Sequence, residues 1–134
     1  MVFVLDELAV GNYEEAIAPH PRISALLNVA AERDLDSPRA TYHKVPMIDM
    51  TPIPVEQMKE AVDWIRDQIP NHTVMVFCNS GVGRSPSVVI GYLCCVLGYG
   101  FGEAVEFVAR KKTDISILPN LIRTIENIKV ESAG

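Results

Sequence analysis

The chain has 134 residues, 49% hydrophobic and 22% charged, with a formal net charge of −5 and three cysteines. That length suits one domain spanning residues 1–134, with enough apolar material for a real core. The acidic balance argues against nucleic acid or an anionic membrane as main partner, and an odd number of cysteines is no disulfide framework. The opening "MVFVLDELAV" lacks a basic n-region and a signal-length apolar core. The longest apolar run, "VVIGYLCCVLGYGF", is too short to span a bilayer. A soluble, cytoplasmic monomer is therefore expected.

In chain order, "MVFVL" and "LAVG" read as short strands around a turn at Asp6-Glu7. "NYEEAIAPHP" offers Asn12 as a helix N-cap and Pro19 as a terminator. "ISALLNVA" (23–30) is a continuous apolar run, as for a strand buried on both faces. A polar loop, "AERDLDSPRA", leads to a strand, "TYHKVPM" (41–47), and then to the proline-rich loop "IDMTPIP". "VEQMKEAVDWIRDQI" places Val55, Met58, Val62, Ile65 and Ile69 at helical spacing. "TVMVF" (73–77) is a further buried strand. "SPSVVIGYLCCVLG" is apolar nearly all round, as for a central helix ended by Gly98 and Gly100. An amphipathic helix, "GEAVEFVARKK", and a last helix, "LPNLIRTIENIKV", complete the chain. Strands alternating with helices imply an α/β fold with a central, mostly parallel sheet flanked by helices. Ligands of such sheets bind at the carboxyl ends of the strands.

One such end carries "TVMVFCNSGVGRSP", residues 73–86. The strand–loop–helix reading gathers the backbone N–H groups of Asn79, Ser80, Gly81, Val82, Gly83 and Arg84 around the N-terminus of the central helix, an anion site. Gly81 and Gly83 let the backbone adopt the positive φ angles that a tight cradle needs. Pro86 fits the first helical turn, where its missing N–H costs nothing. Arg84 adds a planar fork for two oxygens of a tetrahedral oxyanion. A nucleotide P-loop needs Gly-Lys-Ser/Thr, which is absent. What lies beneath the anion is a thiol, and a cysteine in such a field ionises more readily than an ordinary one. Cys94 and Cys95 read as buried helix residues, and the cysteines lack zinc-site spacing. A disulfide from Cys78 to Cys94 is out of reach, because ten residues of helix span about 15 Å and a disulfide needs Cα atoms within about 7 Å.

The run Cys78-x5-Arg84-Ser85 after a strand resembles the signature of the cysteine-dependent protein tyrosine phosphatases, and most of all their small dual-specificity branch. "LAVGNYEEA" is similar to the Leu-x-x-Gly-x-x-x-x-Ala start of that family, "ISALLNVA" to the strand that follows, "YHKVPMIDM" to the segment bearing its acid, and "EAVEFVARKK…LPN" to its last two helices. The resemblance implies a phosphomonoester hydrolase acting on phosphotyrosine, and on phosphoserine or phosphothreonine, in a phosphorylated protein partner. It implies Cys78 as nucleophile, Arg84 and the 79–84 amides as the phosphate cradle, and Ser85 as the support of the thiolate when it leaves. Asp49 would be the general acid and then the base. No metal or cofactor is implied.

Asp49 follows a strand and lies 29 residues before Cys78; Asp34 and Asp36 are its competitors. Phe77 stands where the family usually has a histidine supporting the loop. Asn79, Ser80 and Val82 are neutral, which lowers the phosphoinositide substrate class. A phosphotyrosine-binding module without turnover is the main alternative of another class, and a rhodanese-like sulfur transferase a third. Asn120 resembles a family position near the loop and equally suits a helix cap. His20, His43, His72 and Trp64 read as surface, capping or packing residues.

Overall fold

The turn at Asp6 and Glu7 folds β1 (Val2–Leu5) antiparallel onto β2 (Leu8–Asn12), pairing Leu5 with Leu8. In the computed structural model, which describes residues 1–133 and side chains through residue 128, these strands form one edge of a five-stranded sheet ordered β1-β2-β5-β3-β4. The other members are β3 (Ala25–Ala30), β4 (Thr41–Met47) and β5 (Val74–Cys78), all parallel to β2. The expected mostly parallel sheet is thus present. Strands β3 and β5 are buried along their whole length, as their unbroken apolar runs require.

Asn12 closes a capping box at the start of α1 (Tyr13–Ile17). Its Oδ1 accepts from Glu15 N at 2.9 Å, and its own N–H donates to Glu15 Oε1 at 2.9 Å. The helix stops at Ile17, two residues before Pro19. On the other face lie α2 (Val55–Gln68), α3 (Arg84–Cys95), α4 (Phe101–Lys111) and α5 (Leu121–Ala133). Helix α3 is buried from Arg84 to Cys94, so it is the central helix of that thick layer. Gly91 lets α2 approach it: a Cβ there would sit 2.6 Å from Met58 Sδ. Gly98, at φ +78, turns the chain from α3 toward α4. Among the described residues no helix is long and apolar enough to cross a membrane.

The sheet divides the apolar residues into two clusters. Val74, Val76 and Cys78 face the thick helical layer. Met75 and Phe77 face a thinner cluster with Ala9, Ala16, Ile23 and Leu26 beneath α1. This is the period-two alternation of a strand. Strand β5 reaches one residue further than the sequence pattern suggests, so Cys78 is its last residue. Phe77 is fully buried in the thin cluster, on the opposite face from Cys78. Truncating Phe77 to alanine should destabilise the fold by about 3–5 kcal/mol, read as a lowered urea midpoint.

Candidate active site

Strands β2 and β5 end side by side, pairing Gly11 with Phe77 and Asn12 with Cys78. The loop after Cys78 is moulded against that pair. Gly81 adopts φ +76, and a Cβ there would lie 3.1 Å from the Gly11 carbonyl oxygen, so a side chain would be strained by its backbone conformation and would crowd β2. Tyr13 N donates to the Asn79 carbonyl at 3.4 Å. Helix α3 begins at Arg84 with Gly83 as N-cap and no side-chain cap. Gly83 has φ −109 rather than the expected positive φ. Close neighbours crowd a side chain there instead, with Asp49 Oδ1 and Leu118 Cδ2 each 3.3 Å from where a Cβ would sit. Of the first-turn groups of α3, Ser85 N points to Cys78 Sγ, Pro86 has no N–H and Ser87 N returns to the Gly83 carbonyl at 3.1 Å, so the Arg84 N–H is the one left toward the loop among the described residues.

Cys78 Sγ is buried beneath this helix end. It accepts from Gly81 N at 3.3 Å and Ser85 N at 3.5 Å, and lies 3.2 Å from Ser85 Oγ. Ser85 Oγ is also 3.2 Å from the Gly11 carbonyl. The hydroxyl has one proton to give. With a neutral thiol, S–H donates to Ser85, which donates to Gly11; with a thiolate, the hydroxyl turns its proton to sulfur. The support expected from residue 77 therefore comes from Ser85 and two backbone amides.

Arg84 is 1% exposed. Its guanidinium forks onto Glu32, with Nη1 at 2.6 Å and Nη2 at 2.5 Å from the two carboxylate oxygens, and Nη1 also donates to the Met47 carbonyl at 3.0 Å. Nε is buried without a hydrogen-bond partner among the described residues. Asp49 Oδ1 stands 3.8 Å from that Nε, and 3.3 Å from where a Gly83 side chain would begin. Asp49 follows the end of β4 by two residues and is half-exposed at the mouth of the loop.

The structure thus brings Cys78, Arg84, Ser85, the 79–83 backbone and Asp49 together at one sheet edge. The two competitors lie elsewhere. Asp34 pairs with Lys44 Nζ at 2.7 Å, and Asp36 lines a separate groove with Tyr13 and Leu35 on the thin face. Trp64 stacks on His43 at 5.6 Å, His20 meets Phe3 edge-on at 5.5 Å, and His72 bonds Ser24. Asn120 is exposed at φ +60, directly before α5.

The family model described as "Dual specificity phosphatase, catalytic domain" matches residues 10–130. The chain belongs to that family. Mouse dual specificity protein phosphatase 15 is 24% identical over 132 residues, covering 94% of this chain and 56% of its own length. Rat phosphatidylglycerophosphatase and protein-tyrosine phosphatase 1 is 28% identical over 93 residues, 68% of this chain and 48% of its own. The chain thus spans about half the length of these relatives. A crystal structure of DUSP15 superposes with a TM-score of 0.85 at 21% identity, over 99% of this chain and 89% of that one.

In this dual specificity phosphatase domain, Glu32 is the site residue that the sequence reading passed over. Its place is fixed by the buried Asn28, whose Nδ2 donates to Arg33 O at 2.7 Å and whose Oδ1 accepts from Ala30 N at 2.9 Å. Lys44 Nζ binds the same turn through Ala31 O and Arg33 O, at 3.1 and 2.8 Å. Hydrogen bonds from Arg84 lower the Glu32 carboxyl from its ordinary 4.5 to about 2, and Glu32 in turn holds the Arg84 proton more tightly. A carboxyl depressed by folding stabilises the fold above pH 4.5, and that contribution is lost as pH falls toward about 2. Glu32→Gln should flatten the loss of stability across that window, as followed by thermal unfolding at stepped pH.

Proposed function

We propose that the domain hydrolyses phosphate monoesters through a phosphocysteine on Cys78. One observation carries this reading. A buried thiol accepts hydrogen bonds from loop amides at the uncapped start of α3, while the adjacent buried Arg84 keeps an unpartnered Nε–H. A buried donor without a partner costs about 1–3 kcal/mol, and an oxyanion over Cys78 would satisfy it.

In the first step the Cys78 thiolate attacks phosphorus and the bond to the leaving oxygen breaks. The loop amides of residues 79–84 hold the equatorial oxygens, with Arg84 adding the Nε–H that remains once its two Nη groups are spent on Glu32 in place of the expected fork onto the oxyanion. Asp49, half-exposed beside Arg84 Nε, gives its proton to the departing alkoxide or phenoxide. In the second step the Asp49 carboxylate takes a proton from water as that water attacks phosphorus. The P–S bond breaks, and the sulfur leaves as a thiolate that receives the Ser85 hydroxyl proton in a hydrogen bond. The proton borrowed by Asp49 resets the acid.

The substrate class we assign is phosphotyrosine, with phosphoserine and phosphothreonine, in proteins. The neutral Asn79, Ser80 and Val82 support it, although Arg33 donates to Asn79 Oδ1 at 2.8 Å and brings one cation beside the loop. A binding module that retains phosphotyrosine without turnover would share this geometry, and turnover separates the two. Hydrolysis of an aryl phosphate should be abolished in Cys78→Ser, and Asp49→Ala should lower kcat by about 10²–10⁴-fold. Unchanged turnover in Asp49→Ala would remove the acid from this scheme, and a wild-type protein that binds phosphate without hydrolysing the ester would favour the binding module.

A further inference from the structure

A groove of about 410 Å³ opens directly off the catalytic loop. Its floor is Ser80, Val82 and Gly83, and its walls are Asp49 and Met50 on one side and the 116–119 segment on the other. Two of its lining residues are large apolar side chains held in the open: Met50 is 82% exposed and Ile117 37%. Ile48, on the other side of Asp49 in the chain, is exposed as well.

Neither wall is a loose surface loop. Met50 sits at φ +62, a left-handed conformation that a side chain like methionine rarely adopts. Its N–H is held by Asp49 Oδ1 at 2.9 Å, and Thr51 Oγ1 donates to Ile48 O at 2.8 Å across the same turn. Opposite, Ser116 N donates to the Val82 carbonyl at 2.8 Å, and Leu118 N donates to the buried Ser87 Oγ at 3.0 Å. Ile117 is therefore pinned on both sides, once to the catalytic loop and once to α3. A strained backbone and an exposed methionine both carry a cost, and strain of this kind concentrates where a ligand is met.

We propose that this groove is a specificity subsite, taking an apolar side chain next to the phosphorylated residue of a protein substrate. The inference rests on the reading of the Cys78 loop as the phosphate site. Val82 and Gly83 belong to both loop and groove, so a substrate with its phosphate over Cys78 lays its neighbouring atoms along the groove. Among the described residues the lining contains no lysine or arginine, and Asp49 is its one charged residue. That lining suits an uncharged apolar side chain. An anionic headgroup in the groove would face Asp49, whereas Lys111 and Lys112 line a separate pocket beyond Ser80.

The test uses the Cys78→Ser protein, so that binding is read without turnover. Two fluorescent phosphotyrosine peptides differ only at the flanking residues, leucine on both sides or serine on both sides. The leucine-flanked peptide should bind about tenfold more tightly, the effect of partly burying one leucine. Met50→Asn keeps a residue that tolerates the left-handed turn, and Ile117→Thr keeps the β-branch; each should bring the ratio to within about twofold. A ratio near one in the Cys78→Ser protein, or a ratio that survives both variants, overturns the subsite. So does displacement of the peptides by anionic phospholipid vesicles that is lost in Met50→Asn, which would assign the groove to lipid. If neither peptide binds, the phosphate-site reading fails with it, whereas binding of both at equal strength defeats the subsite alone.

Discussion

A guanidinium charge buried at the end of a sheet constrains everything around it. Arg84 is taken out of water by the fold, and an uncompensated charge there would cost several kcal/mol. Its compensation is drawn from two other strand ends: Glu32 from the turn after β3 and the Met47 carbonyl at the end of β4. Asn28 and Lys44 then hold the turn that carries Glu32. One charge therefore ties the carboxyl edges of β3, β4 and β5 to the first turn of α3. The loop over Cys78 is held in shape before any ligand arrives. Preorganisation of this kind lets hydrogen-bond donors act on developing charge without first being reoriented.

Much of this was legible in the sequence because local chemistry and long-range position agreed. The glycine spacing between Cys78 and Arg84 needs no tertiary knowledge to suggest a cradle, and the positive φ of Gly81 against Gly11 is its physical reason. Asn12 was legible as an N-cap from its residue type before an apolar-periodic run, and the structure adds the reciprocal bond from Glu15. The rule that loops after parallel strands gather at one edge admitted Asp49 together with Asp34 and Asp36, and the likeness of "YHKVPMIDM" to the family's acid-bearing segment chose among them. Glu32 was not legible, because a charged residue in a polar loop looks solvated. Only the turn set by a buried asparagine aims it at Arg84.

Phe77 shows a different kind of limit. Next to Cys78 in the chain, it was read as part of the environment of that thiol. The pleat sends its ring to the far face of the sheet, where it packs under α1. The alternation of a strand contains that information, yet an unbroken apolar run hides which face each residue takes. The exposed apolar rim was hidden for a related reason. "IDMTPIP" and "SILPN" are short loop segments, and only their convergence across Val82 and Gly83 makes Met50 and Ile117 two sides of one groove.

The central claim is that the loop delivers phosphorus to Cys78 and that sulfur takes it. Rapid acid quench of the protein mixed with an aryl phosphate, followed by peptide mapping, tests this most directly. The account predicts a phosphate ester on Cys78 that forms before phosphate is released and is absent from Cys78→Ser. Release of phosphate with no covalent phosphoenzyme, or with the phosphate carried by another residue, would contradict it.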